Sequence, residues 1–294
     1  MPPNRTTALS LLVSTGFLIG LSFPLGKLAH GAGISPPAWS FAISGGGALV
    51  IFGIILARKM RIAWDARHLR YYLIAGLLSY VLPNLLIYAA IPRLGAGLTA
   101  IYLTLSPIMT LTISILMGIK KPGLLGFAGI ALGCLGALTI ILSKGEVGGG
   151  DLVWLIAALF IPLSLASGNV YRTLDWPANG KPLVLAMGSN AAAALCLFVA
   201  TLFWDGAMPF AMLGEAPILT LGQIAVSAVM FALFFRLQIV GGPVYLSQIG
   251  YVAAATSLVI GTLFLGERYA LLTWGGGLII VAGVVATTLD RGRK

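Results

Sequence analysis

The chain has 294 residues, 59% of them hydrophobic and 9% charged, with a formal net charge of +10. A soluble protein of this length needs a charged surface around its core, which so few charges cannot supply. The basic excess does not point to nucleic acid either, because almost every charge falls in a short gap between long apolar runs.

Each run is about 20 residues long, enough for a helix rising ~1.5 Å per residue to cross a hydrocarbon core of roughly 30 Å. The runs do not alternate apolar with polar residues, so helices are expected rather than a barrel. Spans are predicted at 8–29, 38–57, 71–91, 95–117, 123–142, 152–171, 182–203, 216–236, 243–265 and 271–289. The expected fold is therefore an all-α integral membrane protein with ten transmembrane helices. The gaps leave no room for a soluble domain, so function must be built from the spans.

The first span is too long for a signal peptide, and it carries Ser22, Pro24 and then Lys27. It is expected to stay as a helix, although Ala29-His30-Gly31 weakly resembles a cleavage site. The second holds Gly45-Gly46-Gly47, which suits close helix packing. In the third, Tyr80, Asn84 and Tyr88 recur every four residues and form one stripe, and Pro83 is expected to kink the helix. The fourth offers Tyr102 and Ser106 followed by Pro107. The fifth repeats small residues at Gly129, Gly133 and Gly136.

A linker, Ser-Lys-Gly-Glu-Val-Gly-Gly-Gly-Asp, follows at 143–151. The sixth span contains Pro162, Ser167 and Asn169, and ends near Arg172. The eighth carries Ser227 and Phe231, and the ninth Gln248 and Tyr251. Polar residues are costly in lipid and usually face a bundle interior. Ser22, Tyr80, Asn84, Tyr88, Tyr102, Ser106, Ser167, Asn169, Ser227, Phe231, Gln248 and Tyr251 are thus the candidate cavity lining. Pro24, Pro83, Pro107 and Pro162 are the candidate hinges. Cys134 and Cys196 lie inside spans and read as packing residues.

Charge sets the expected orientation. With the N-terminus inside, fourteen of the eighteen basic residues fall on the inner side. Only Lys27, Arg93, Lys144 and Arg268 fall outside. Both termini are then cytoplasmic, in a bacterial-type inner membrane. Tryptophans near span ends, among them Trp39, Trp64 and Trp204, fit an interfacial belt.

The halves 1–147 and 148–294 resemble one another. At an offset of 147, Gly129 meets Gly276, Gly136 meets Gly283, and Lys120-Lys121 meets Glu267-Arg268. With slightly different slippage Lys27 meets Arg172. Five spans per half is an odd number, so the second half enters from the opposite side. Inverted repeats of this kind support alternating access around a site at their interface.

Ten spans, two five-helix halves and the ending Leu265-Gly266-Glu267-Arg268 with Gly276 and Gly283 resemble the drug/metabolite transporter superfamily. The chain is similar to its EamA-type bacterial exporters, including amino-acid exporters of the YddG kind. The resemblance implies a central cavity lined by helices 1, 3, 4, 6, 8 and 9, and export of small metabolites. Family members commonly carry Gly-Glu at both fourth-helix ends, where this chain has Ile119-Lys120 in the first half.

All eight acids and both histidines lie in loops or at span ends. No acid/base pair or ligand cluster for an enzyme or a metal is visible, and no buried carboxylate for a proton relay. No cofactor is expected. The middle also lacks the Lys or Arg that would hold a phosphate dianion. A neutral or zwitterionic solute such as an amino acid is favoured. A lipophilic drug cation, or passive passage through a channel, is the alternative. The expected partners are the small-molecule substrate and the lipid bilayer. A monomer is expected, with a glycine-faced homodimer as the alternative.

Overall fold

A computed structural model describes residues 5–118, 123–143, 149–240 and 249–289, which are helical with no strand among them. The spans are α1 (Arg5–Gly31), α2 (Pro36–Ala57), α3 (Ala66–Leu94), α4 (Ala96–Leu116) and α5 (Leu124–Leu142). They continue with α6 (Leu152–Leu174), α7 (Pro182–Asp205), α8 (Pro217–Val240), α9 (Ile249–Phe264) and α10 (Leu271–Leu289). The first eight include stretches long and apolar enough to cross a membrane, and α9 and α10 supply shorter apolar helices. The all-α, ten-helix architecture expected from the runs is the one found. Residues 243–248, placed by the sequence in the ninth span, lie outside the described residues, and with them Gln248.

Local chemistry sets several helix ends. Ser35 caps α2 by accepting from the Ala38 amide, and Asp65 caps α3 by accepting from Arg67 and His68. Gly206 ends α7 with φ +65°, a conformation open to residues without a Cβ. Three mid-span prolines sit just after an irregular turn. In α3 the Leu82 amide reaches back five residues to the Leu77 carbonyl, a wide turn that relieves the Pro83 ring against the preceding turn. In α4, Tyr102–Leu105 tightens to a 3-10 turn before Pro107. In α6 the helix breaks at Leu159, three residues before Pro162. Pro24 lies within α1, which runs unbroken.

Glycines bring helices into backbone contact. A Cβ on Gly136 of α5 would lie 2.8 Å from the Gly276 carbonyl of α10, and one on Gly276 would lie 2.9 Å from the Gly136 carbonyl. A Cβ on Gly283 would lie 2.7 Å from the Gly129 carbonyl. The contact is reciprocal: Gly136 meets Gly276, and Gly129 meets Gly283. Gly16 and Gly20 of α1 likewise face Val252 and Ala253 of α9, and Gly46 and Gly47 of α2 face Ile224 and Phe231 of α8. These glycine surfaces are occupied within one chain. Large apolar side chains such as Leu124, Phe203 and Ile218 point outward, as a lipid-facing perimeter requires. Trp64 and Trp204 are exposed, but Trp39, expected in the interfacial belt, is buried beside Gly26 and Tyr88. The missing Cβ of Gly26 leaves room for both rings. Cys134 and Cys196 are free thiols.

Candidate functional site

A buried polar node lies between α1 and α8. The Gln223 amide nitrogen donates to the Ser22 hydroxyl at 3.1 Å and to the Ser227 hydroxyl at 3.0 Å. Ser22 in turn donates to the Leu18 carbonyl at 3.2 Å. Gln223 and Ser227 are 0% exposed, and the Gln223 amide oxygen has no hydrogen-bond partner among the described residues. An amide acceptor held open in a dry interior costs about 1–3 kcal/mol unless something else fills it. By helical rise, Gln223 lies ~9 Å below the start of α8.

About two turns deeper along α8 the wall becomes aromatic. Tyr80 of α3 and Phe231 of α8 pack edge to face, with ring centroids 6.4 Å apart. Phe231 occupies the space left by Gly47 of α2. Asn84 is half-buried one turn from Tyr80 and has no hydrogen-bond partner among the described residues. Ser22 and Ser227 thus meet at Gln223, and Phe231 meets Tyr80 and the backbone of Gly47. No carboxylate or cation takes part in these contacts.

The other candidates go elsewhere. Tyr88 is buried in the main core against Gly26. Tyr102 is buried and donates to the Leu155 carbonyl of α6 at 3.1 Å. Ser167 bonds back to the Leu163 carbonyl, and Asn169 accepts from Arg172 at 2.5 Å. Ser106 is half-buried, and its carbonyl accepts from Thr110. Tyr251 packs at the core edge with its hydroxyl buried and without a hydrogen-bond partner among the described residues. Gln248 is outside the described residues.

A second polar centre closes one end of the bundle. Glu267, in the loop after α9 and 8% exposed, gathers donors from three places. Lys27 of α1 lies 2.6 Å from Oε1, the Ala96 amide donates at 2.8 Å and the Gly97 amide at 3.2 Å. The Tyr269 hydroxyl also donates to Glu267, while accepting from the Gly97 amide at 3.0 Å. Gly95, at φ +86°, turns the chain between α3 and α4 so that these two amides point at the carboxylate. Gly261 leaves space for Oε2. One carboxylate therefore ties α1, the start of α4 and the end of α9 together.

Burial alone would raise the Glu267 pKa, but the Lys27, Tyr269, Ala96 and Gly97 donors outweigh it and hold the carboxyl below its ordinary value of 4.5. The sign follows: stability from this group is present above the unfolded pKa and is lost as pH falls through the lowered folded one. Thermal stability of the wild type should therefore show no Glu267-dependent change from about pH 8 to 5.5. Below about pH 4 its advantage over Glu267→Gln should shrink. Melting curves of both proteins across pH check this. An advantage that vanished near neutral pH would show that the carboxyl titrates there.

The opposite end has a looser tie. Arg70, near the start of α3, donates to both oxygens of Asp175 at 2.8 and 2.9 Å, and the Tyr171 hydroxyl donates to Asp175 at 2.7 Å. The Tyr171 bond lowers the Asp175 pKa most; burial opposes it, and Arg70 adds to the lowering, so the net shift is downward. The Arg70 side chain is 58% exposed, so water and salt screen this pair far more than the Glu267 centre. Both ties join the first half of the chain to the second, at opposite ends of the helices.

Residues 6–142 match the EamA-like transporter family. That first half is similar to EamA-like transporters. Over nearly its whole length the chain is similar to the uncharacterized transporter YdfC of Bacillus subtilis (strain 168), 25% identical over 97% of this chain and 93% of that one. It is also 27% identical to the uncharacterized inner membrane transporter YedA of Escherichia coli (strain K12), over 67% of this chain and 63% of that protein. A solved crystal structure shares the fold with a TM-score of 0.63 at 17% identity, covering 97% of this chain and 98% of that one. The chain is a multi-pass membrane protein, similar to proteins named as transporters.

The matched segment, residues 6–142, carries Ser22, Lys27, Tyr80 and Asn84, and the helices after it carry Gln223, Ser227 and Phe231, with Glu267 in the loop after α9. Sequence reasoning passed over Gln223, whose signal was an amide inside an apolar run. It placed Lys27 at the end of the first span and Glu267 in the loop between the ninth and tenth. The pairing joins residues 240 positions apart, and no local pattern carries it.

Proposed function

We propose that the protein is a secondary carrier that exports small neutral or zwitterionic metabolites, amino acids first among them, by alternating access across a bacterial inner membrane. The single observation that carries this reading is the buried, uncharged node of Ser22, Gln223 and Ser227 with its open amide acceptor. A free acceptor suits an ammonium or amide donor, and the Tyr80–Phe231 wall beside it suits an apolar side chain. Nothing in that node holds a phosphate dianion or serves as counter-ion to a lipophilic cation.

The halves 1–147 and 148–294 act in this reading as inverted repeats, with both termini cytoplasmic. The reciprocal glycine contact between α5 and α10 supports it, because a two-fold relation makes each partner's contact the mirror of the other's. The two inter-half ties at opposite ends are then the contacts that break in turn.

The test is flux of labelled neutral amino acids in proteoliposomes. Saturable uptake, competed by unlabelled amino acid, is expected. Gln223→Leu should reduce it about ten-fold or more, since a buried donor then loses its acceptor. Asn84→Ala and Tyr80→Ala should each reduce it more than Trp204→Ala does at equal expression. Flux that rises linearly with concentration would identify a passive pore, and inhibition by a cationic dye but by no amino acid would identify a cation exporter.

A further inference from the structure

Beside the Glu267 centre lies a depression of about 220 Å³, lined by Lys27, Arg93, Gly95, Glu267, Arg268 and Tyr269 among others. Its charges do not cancel. Glu267 is turned inward, where Lys27, Tyr269 and two backbone amides hold both its oxygens. Arg93 and Arg268 line the same hollow, and neither makes a hydrogen bond or ion pair among the described residues. Arg93 sits in the last turn of α3, where a cation also favours the helix dipole. Arg268 lies in the loop after α9 and has no such role.

The distribution of charge over the whole chain sharpens this. Four of the eighteen basic residues belong to the sparsely charged end, and three of the four converge on this hollow. Charge placed only for orientation would favour the other end. Two unpaired guanidinium groups beside low-dielectric walls concentrate positive potential, and each can hold a carboxylate or phosphate with two parallel hydrogen bonds.

We propose that this depression is an oxyanion site, taking a carboxylate or a phosphate group between Arg93 and Arg268. The ligand is either a free solute, such as the carboxylate of a zwitterion at the mouth of the protein, or the phosphate of a lipid headgroup. The site stands on its own geometry and does not depend on the transport reading. A ligand here also sits against Lys27, so its negative charge competes with Glu267 for that ammonium.

The experiment uses the full chain in phosphatidylcholine nanodiscs, with trifluoroacetate as the carboxylate probe and its fluorine resonance as the readout. Line broadening is expected with the wild type, reversed by inorganic phosphate and about ten-fold weaker in affinity for Arg93→Gln/Arg268→Gln. Both side chains are exposed, so that variant should fold, and an unchanged melting curve confirms it. Arg58→Gln/Arg61→Gln removes the same charge at the other end and should leave the broadening intact. In a second arm, native mass spectrometry counts phosphatidylglycerol retained from mixed bilayers. One lipid retained by the wild type and lost by Arg93→Gln/Arg268→Gln identifies the headgroup as ligand. Equal broadening and equal lipid retention in the wild type and that variant, or equal loss in both charge-removal variants, overturns the proposal.

Discussion

Replacing Glu267 with alanine is expected to lower the melting temperature of the detergent-purified protein by ~6–10 °C. The carboxylate is the shared acceptor for the Ala96 and Gly97 amides, the Tyr269 hydroxyl and the Lys27 ammonium. Without it, Ala96 and Gly97 lose their acceptor in a buried place, and Lys27 loses its counter-ion. Unmade buried hydrogen bonds cost about 1–3 kcal/mol each, and they do not add fully when they share one group. Lys27 is 34% exposed, so water offsets part of its loss. A net cost of about 3 kcal/mol remains. Lys27→Met should cost less, because the two amides and Tyr269 keep their acceptor. Fluorescence-monitored melting of both variants measures the order. Equal melting temperatures in Glu267→Ala and the wild type would show that α1, α4 and α9 are held together by packing alone.

Gly136→Val is expected to abolish folded, monodisperse protein. Even the first added carbon would sit 2.6 Å from the Ile280 side chain and 2.8 Å from the Gly276 carbonyl. The second of these is backbone, which yields only if α5 and α10 separate along their length. Overpacking of that kind costs about 1–3 kcal/mol for one methyl group and more for a branched side chain. Gly136→Ala should therefore give folded protein of reduced stability. Gly277→Ala makes the comparison, since a Cβ there meets nothing within 4 Å and alanine is the better helix former. Size-exclusion profiles and melting curves of the three variants check the ranking. A well-behaved Gly136→Val protein would mean that the two helices do not touch where the structure brings them together.

The helix count was legible because apolar length and flanking charge both report the bilayer directly, run by run. The irregular turns were half legible. Pro83 and Pro107 marked where regular geometry must yield, but not that one turn would widen and the other tighten. The stripe of Tyr80, Asn84 and Tyr88 had the right period, yet its members part company. Tyr80 meets Phe231, whereas Tyr88 fills the room beside Gly26. Period reports which face a residue shares, not what stands opposite it. Gln223 is visible as an amide in α8, but nothing in that apolar run shows that its nitrogen reaches Ser22 of α1. Glu267 was hidden for a different reason. Its partners come from positions 27, 96 and 97, and a contact across most of the chain leaves no trace in local spacing.

The α5–α10 contact has a bearing on descent. Gly136 and Gly276 each leave the room that the other's backbone occupies, and Gly283 likewise leaves room for the backbone of Gly129. If the two halves arose by duplication, neither copy was afterwards free to diverge at these positions, because a side chain gained by one displaces the main chain of the other. Alternate forms of this protein in related organisms should therefore change these residues in concert or not at all, while the helix faces turned toward lipid drift independently.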